Sequence, residues 1–198
     1  MIALAVVAPV VELPVADRDA ELIARHTDGD PDAFAEIYHR HAAAVYRRLA
    51  RILGPVPERE DLTQDVFLAL HRALPRFRGE AQLGTLIHRI AINAAYEHLR
   101  RRGRRPAVID DRVLDELVAP LASPEAQTAA REELVRVFRC LARIKPKKRI
   151  ALLLRLVEGL SFEEIARLVD ASTDAVAKRV QHGQRELDAL LARDGRPG

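Results

Sequence analysis

The sequence predicts an all-α protein made of two small helical domains, and three observations carry that expectation. Leu, Ala, Arg and Glu dominate, aromatic residues make up 4% and Trp is absent, so helix formers are abundant and β-branched runs are few. Apolar residues recur at three- and four-residue steps through most of the chain. The periodicity lapses between Gly103 and Ser123, where Pro106 and Pro120 flank the acidic residues Asp110, Asp111, Asp115 and Glu116. With 198 residues, 48% of them hydrophobic, the chain has material for one ordinary domain or two small ones.

The first sixteen residues, MIALAVVAPVVELPVA, hold an apolar run with no Lys or Arg before it. Pro9, Glu12 and Pro14 interrupt it well short of the roughly 20 residues a membrane span requires, so it reads as a flexible tail or a misplaced start, and no membrane insertion is expected. The first helix is expected at Asp30-Pro31, where Asp caps free amides and Pro fits the first helical position. Phe34, Ile37, His41, Val45, Leu49 and Ile52 give it one apolar face, and Gly54-Pro55 ends it. A second run places Leu62, Val66, Leu70 and Leu74 on one side and stops before Pro75. A third sets Leu83, Leu86, Ile90, Ala94 and Leu99 on one face and ends in RRRGRRP. Short connections between striped helices predict a bundle.

Beyond the acidic stretch, Ser123-Pro124 caps a helix carrying Leu134, Val137, Phe138 and Leu141, and another carries Ile150, Leu153, Leu154 and Val157. Ser161-Phe-Glu-Glu164 is a capping box for a short helix with Ile165 and Leu168. A break at Asp170–Ser172 precedes a longer helix bearing Val176, Val180, Gly183, Leu187 and Leu190, with Asp170 where such turns often use Gly. A short helix, a tight turn and a longer helix with a basic outer face describe a helix-turn-helix, although the pattern alone suits a plain helical hairpin equally well. The expected boundaries are a flexible tail over 1–20, a first domain over 21–105, a linker over 106–123 and a second domain over 124–193.

The net charge is only +3, but the isoelectric point near 9.3 leaves room for local basic patches that suit a polyanion. The single Cys140 excludes an intrachain disulfide and any CxxC zinc site, which fits the cytoplasm. An enzyme reading has one foothold, the Glu36-x-x-His39 spacing of a di-iron bundle, but no second copy follows it. No phosphate-binding glycine loop or nucleophile elbow is present, so no catalytic residue, metal or cofactor is expected.

DLTQDVFLALHRALPRFRG, HRIAINAAYEHLRRR and LVEGLSFEEIARLVDASTDAVAKRVQHGQREL occur in this order, on either side of the linker. Together they resemble the extracytoplasmic-function class of RNA polymerase sigma factors in the sigma-70 family. The resemblance implies an N-terminal bundle of the region 2 type, a flexible linker and a C-terminal helix-turn-helix of the region 4 type. It also implies a function: binding core polymerase, recognising promoters and opening DNA to initiate transcription.

By that resemblance Asp61, Gln64 and Asp65 face a helical coiled coil at the polymerase clamp. The minus-10 element falls to Arg76, Arg78, Arg89 and Asn93, with Arg100, Arg101, Arg102, Arg104 and Arg105 on phosphates. Arg76, Arg78 and the Gly79–Gly84 turn line the pocket where the family holds a flipped base. Where the family often writes Thr-Trp-Leu this chain has Thr85-Leu86-Ile87. The minus-35 major groove falls to Thr173, Asp174, Ala177 and Lys178, then Gln181 and His182, with Arg179 and Arg185 near phosphates. The recognition helix departs from the family's G-T-V-K-S-R, so the promoter sequence cannot be read from it. The acidic linker either threads toward the RNA-exit path or is a solvated tether. An anti-sigma partner is common in the class, but no segment of this sequence marks its docking site. The rival reading is a stand-alone helix-turn-helix regulator whose N-terminal bundle senses an effector or dimerises.

Overall fold

The computed structural model describes residues 17–77, 82–102, 110, 112, 114–115 and 123–194. Among them are eight α-helices and no strand: α1 (Asp17–Thr27), α2 (Pro31–Leu53), α3 (Arg59–Ala73), α4 (Leu83–Arg102), α5 (Pro124–Arg143), α6 (Pro146–Leu156), α7 (Phe162–Leu168) and α8 (Thr173–Asp194), with a 3₁₀ turn over Leu74–Arg76. The all-α expectation holds, and the ends fall where the sequence chemistry puts them. Asp30 caps α2 by accepting from the Asp32 amide at 2.9 Å, and Gly54, at φ 84°, ends it. Pro75 turns α3 into the 3₁₀ segment, and Ser123 accepts from the Ala126 amide at 3.2 Å to start α5.

The first helix corrects the expectation of a tail over 1–20, because α1 begins at Asp17. Tertiary contacts fix it. Asp19, almost fully buried, meets Arg40 at 3.3 Å and the buried His41 at 3.2 Å, while Arg18 and Arg25 reach Glu36 on α2 at 3.0 and 3.4 Å. Gly29, at φ 90°, reverses the chain between α1 and α2, and the Asp30 amide reaches back to the Arg25 carbonyl.

Two compact units emerge. One takes the described parts of Val11–Leu49 and Glu58–Ala95; the other takes Ala50–Pro57 and the described residues from Tyr96 onward. In the first, Leu22, Ile37, Val45 and Leu49 are buried, as are Val66, Leu70 and Leu74. Aromatic contacts tie α2 to α3: Phe34 meets His71 with ring centres 4.8 Å apart, and Tyr38 meets Phe67 at 4.7 Å. Arg59, 1% exposed, sets its guanidinium carbon over the Tyr46 ring, 3.5 Å from the ring centre, and donates to the Tyr46 hydroxyl. On α4 the inward face is shifted from the expected one. Leu83, Leu86, Ile87, Ala91, Ile92, Ala95 and Leu99 are buried, whereas Ile90 and Ala94 lie at the half-buried margin. Leu86, which stands where the family often has Trp, therefore belongs to the core, as does Ile87 beside it.

In the second unit one apolar cluster joins Ala50, Leu114, Leu134, Val137, Phe138, Leu141, Leu152 and Leu187. Gly54 is forced by packing as well as by its φ, since a Cβ there would stand 2.5 Å from the Phe138 ring. The Arg149 guanidinium donates to the Leu53 carbonyl at 2.7 Å, satisfying the open end of α2, and burial pushes its pKa down to about 10, with Arg102 adding to the shift. A second buried charge is paired: Arg51 donates to Glu158 at 2.8 Å. Within the acidic stretch, the Asp110 amide donates to the Pro55 carbonyl at 2.8 Å, Leu114 enters the core and Asp115 pairs with Arg131.

Candidate partner and nucleic-acid interfaces

On α3 the apolar positions Leu62, Val66, Phe67 and Leu70 are buried, so the rotation of the helix is fixed and the opposite side is delivered to solvent. Asp61, Gln64 and Asp65 all lie on that exposed side. Gln64 and Asp65 follow Asp61 by three and four residues, which puts all three on one face of the helix, and none makes a hydrogen bond or ion pair with a described residue.

The polar side of α4 carries Arg89, Asn93 and Arg100, all exposed and spaced by four and seven residues. Arg100 is held by Glu97 one turn earlier, at 2.6 and 3.1 Å, and this hydrogen-bonded guanidinium keeps the Glu97 carboxyl below its ordinary range. Arg101 is exposed, whereas Arg102 is half-buried. Arg76 is exposed in the 3₁₀ turn. Arg78 and the Gly79–Glu80–Ala81 part of the turn lie outside the described residues, as do Arg104 and Arg105.

The C-terminal hairpin is a helix-turn-helix built by identifiable local devices. Ser161 accepts from the Glu164 amide at 3.2 Å while the Glu164 carboxylate accepts from the Ser161 amide at 2.7 Å, completing the capping box. That backbone hydrogen bond, then the Ser161 side chain, holds the Glu164 carboxyl below its ordinary 4.5. α7 closes with Asp170 at φ 47° and the Ala171 amide donating to the Ala166 carbonyl at 3.0 Å, a Schellman ending with Asp in place of Gly. Ser172 then caps α8 by accepting from the Ala175 amide at 3.2 Å, a cap the sequence reading did not single out.

α8 packs by Val176, Gly183, Leu187 and Leu190. Gly183 permits a close approach to α6: a Cβ there would lie 3.3 Å from the Lys148 carbonyl oxygen and 3.5 Å from the Leu152 Cβ. Beside it, Lys148 on α6 pairs with Glu186 on α8 at 2.8 Å. The outward side then presents Thr173, Asp174, Lys178, Gln181, His182 and Arg185, all exposed. Asp174 and Lys178 form an i,i+4 ion pair at 2.8 Å that raises the Lys178 pKa. Ala177 and Arg179 are half-buried, on the flanks of the exposed stripe rather than at its centre. α8 therefore exposes one continuous polar ridge on a helix pinned from behind, the geometry by which a helix enters a major groove.

The Glu36-x-x-His39 pair has other engagements. Glu36 is taken up by Arg18 and Arg25, His39 is exposed with its ring edge-on to Tyr38, and no cluster of three metal-ligating side chains occurs among the described residues. No described helix is long and apolar enough to cross a membrane.

In comparisons with known proteins, residues 37–105 match the family Sigma-70 region 2 and residues 134–187 match Sigma-70, region 4. The chain is similar to the RNA polymerase sigma-H factor of Pseudomonas aeruginosa, with 30% identity over 182 residues covering 88% of this chain and 94% of the relative. It is also similar to the ECF RNA polymerase sigma factor SigM of Mycobacterium tuberculosis, 33% identical over 175 residues covering 87% and 84%. Among solved structures, CnrH in complex with the cytosolic domain of CnrY aligns with a TM-score of 0.61 and 28% identity, over 90% of this chain and all of that one.

Proposed function

The chain belongs to the sigma-70 family of RNA polymerase sigma factors, in the ECF class, and from that premise we propose how its exposed faces divide the work of initiation. A sigma factor is not an enzyme; it binds RNA polymerase and brings it to promoters. In this chain Asp61, Gln64 and Asp65 on α3 dock on the polymerase clamp. The polar side of α4, Arg89, Asn93, Arg100 and Arg101, handles the minus-10 element as its strands part, with Arg104 and Arg105 after it. The ridge of α8, centred on Asp174, Lys178 and Gln181, enters the minus-35 major groove, with Arg185 toward phosphate. The cytoplasm, where polymerase and DNA are found, is its place of work, and a protein inhibitor of the kind that accompanies the class is its third partner.

The observation that carries this division is the α3 stripe: three polar side chains on one face, none bonded to a described residue, on a helix whose other face is locked in the core. The variant Asp61→Ala with Gln64→Ala tests it. Exposed positions such as these cost little stability, so the helical signal and melting temperature should match the parent while core polymerase binds at least ten-fold more weakly. Undiminished capture of core polymerase by the folded double variant would remove α3 from the docking surface.

A further inference from the structure

Two large hydrophobic side chains are strongly exposed among the described residues, and one of them, Leu68 at 56%, lies on α3. A lone exposed leucine is ordinary on a protein surface. Leu68 differs in its placement. It follows Gln64 by four residues, Asp65 by three and Asp61 by seven, so it continues the docking stripe one turn further along the helix. Leu62, Val66, Phe67 and Leu70 are buried on the other side, and α3 cannot rotate to hide it. Before Leu68 the exposed charged residues of α3 are acidic, Glu60, Asp61 and Asp65, with the neutral Gln64 among them; after it come His71 and, four residues on, the cationic Arg72, both exposed. The stripe thus runs from negative through apolar to positive.

We propose that Leu68 is the apolar anchor of the polymerase-docking face, inserting into a hydrophobic socket on the core enzyme whose rim is basic on the side that meets Asp61 and Asp65. The inference rests on the docking role of α3 and adds what that role lacks. Each exposed polar group adds only a modest share of affinity, and its larger part is to steer and to fix orientation. The largest single share of affinity comes from a side chain that leaves water at the centre of a polar surround. The charge reversal about Leu68 sets the direction in which the helix lies on its partner, because turning it end for end would bring Asp61 and Asp65 away from the basic rim.

Leu68→Ala and Leu68→Met, in the full chain, are titrated with core polymerase beside the parent and the Asp61→Ala, Gln64→Ala variant. Because the side chain is exposed, all should melt with the parent. Leu68→Ala should weaken core binding by about ten-fold, the effect of removing most of a buried leucine side chain from a contact. Leu68→Met, which keeps the apolar volume, should stay within about three-fold. Duplex DNA binding by the chain alone should be unchanged in both. Full affinity in Leu68→Ala alongside weakened binding in the Asp61, Gln64 variant would overturn the anchor and leave the docking role of α3 standing. Full affinity in both would overturn the two together. A parent that self-associates, with Leu68→Ala abolishing the self-association and sparing core binding, would overturn the proposal by giving the leucine to a second copy of the chain.

Discussion

Replacing Gly183 tests how the recognition helix is held. A Cβ at this position lies 3.3 Å from the Lys148 carbonyl oxygen, 3.5 Å from the Leu152 Cβ and 3.6 Å from the Lys148 Cβ, so backbone and side chain of α6 both limit it. For Gly183→Ala two effects oppose each other. Alanine gains about 1 kcal/mol of helix propensity, while the added methyl must displace α6 by a few tenths of an ångström, an overpacking cost of about 1–3 kcal/mol at a rigid site. The net should be a destabilisation of about 0–2 kcal/mol. Gly183→Val adds two further methyls, gains less helix propensity and keeps the same clash, so the destabilisation should reach about 3 kcal/mol. In a chain of this size that is a melting temperature lower by about 6–12 °C.

The assay is thermal and urea unfolding of the full chain followed by circular dichroism, with binding to duplex DNA measured at a temperature where each variant is folded. Gly183→Val should bind DNA less well even when folded, because the ridge from Asp174 to Arg185 would be tilted off its backing. A valine variant that melts within 1 °C of the parent and binds equally well would refute the close approach of α6 and α8.

Ser161→Ala should destabilise the second unit by about 1 kcal/mol, read by urea unfolding. The Glu164 carboxyl is held below its ordinary value, so its contribution is complete above pH 4.5 and is lost as pH falls through the lowered folded-state value; the parent's advantage over Glu164→Gln should therefore be flat from pH 5 to 7 and shrink below pH 4. For the basic end of α4, Arg100→Gln with Arg101→Gln should reduce the log-log salt slope of promoter binding by about 1.4–1.8, and adding Arg102→Gln should change it little because Arg102 is half-buried. Arg149→Met should leave stability within about 1 kcal/mol, since the lost hydrogen bond to Leu53 offsets relief from burying a charge, whereas Arg149→Ala should cost about 2–5 kcal/mol through the cavity; chemical denaturation distinguishes them.

The features legible in the sequence were those written in local chemistry. Asp30-Pro31, Gly54-Pro55, Pro75 and the Ser161–Glu164 box each fix a helix end through backbone hydrogen bonds within a few residues, and each occurs as expected. Asp170 adopts the left-handed conformation its composition allows. What escaped was set by partners distant in sequence. α1 has a short apolar face, and its helix is secured by Asp19 and Arg25 acting on α2. On α4, Ile90 and Ala94 share a period with the buried residues, and only packing shows that Ile87, Ala91 and Ala95 are the ones turned inward. The same holds for Ala177, which the helical repeat alone leaves free to face DNA and which packing sets on the flank. Leu68 was absent from the apolar pattern because it lies off the buried stripe.

The most direct test is to combine the chain, core polymerase and a candidate promoter carrying a fluorescent base in its minus-10 element, and to follow both base unstacking and run-off transcript. Unstacking and transcript should appear only when chain and core are both present, and both should fall with Asp61→Ala, Gln64→Ala. A chain that binds duplex DNA as a dimer at paired half-sites, with core polymerase adding neither opening nor transcript, would contradict the account.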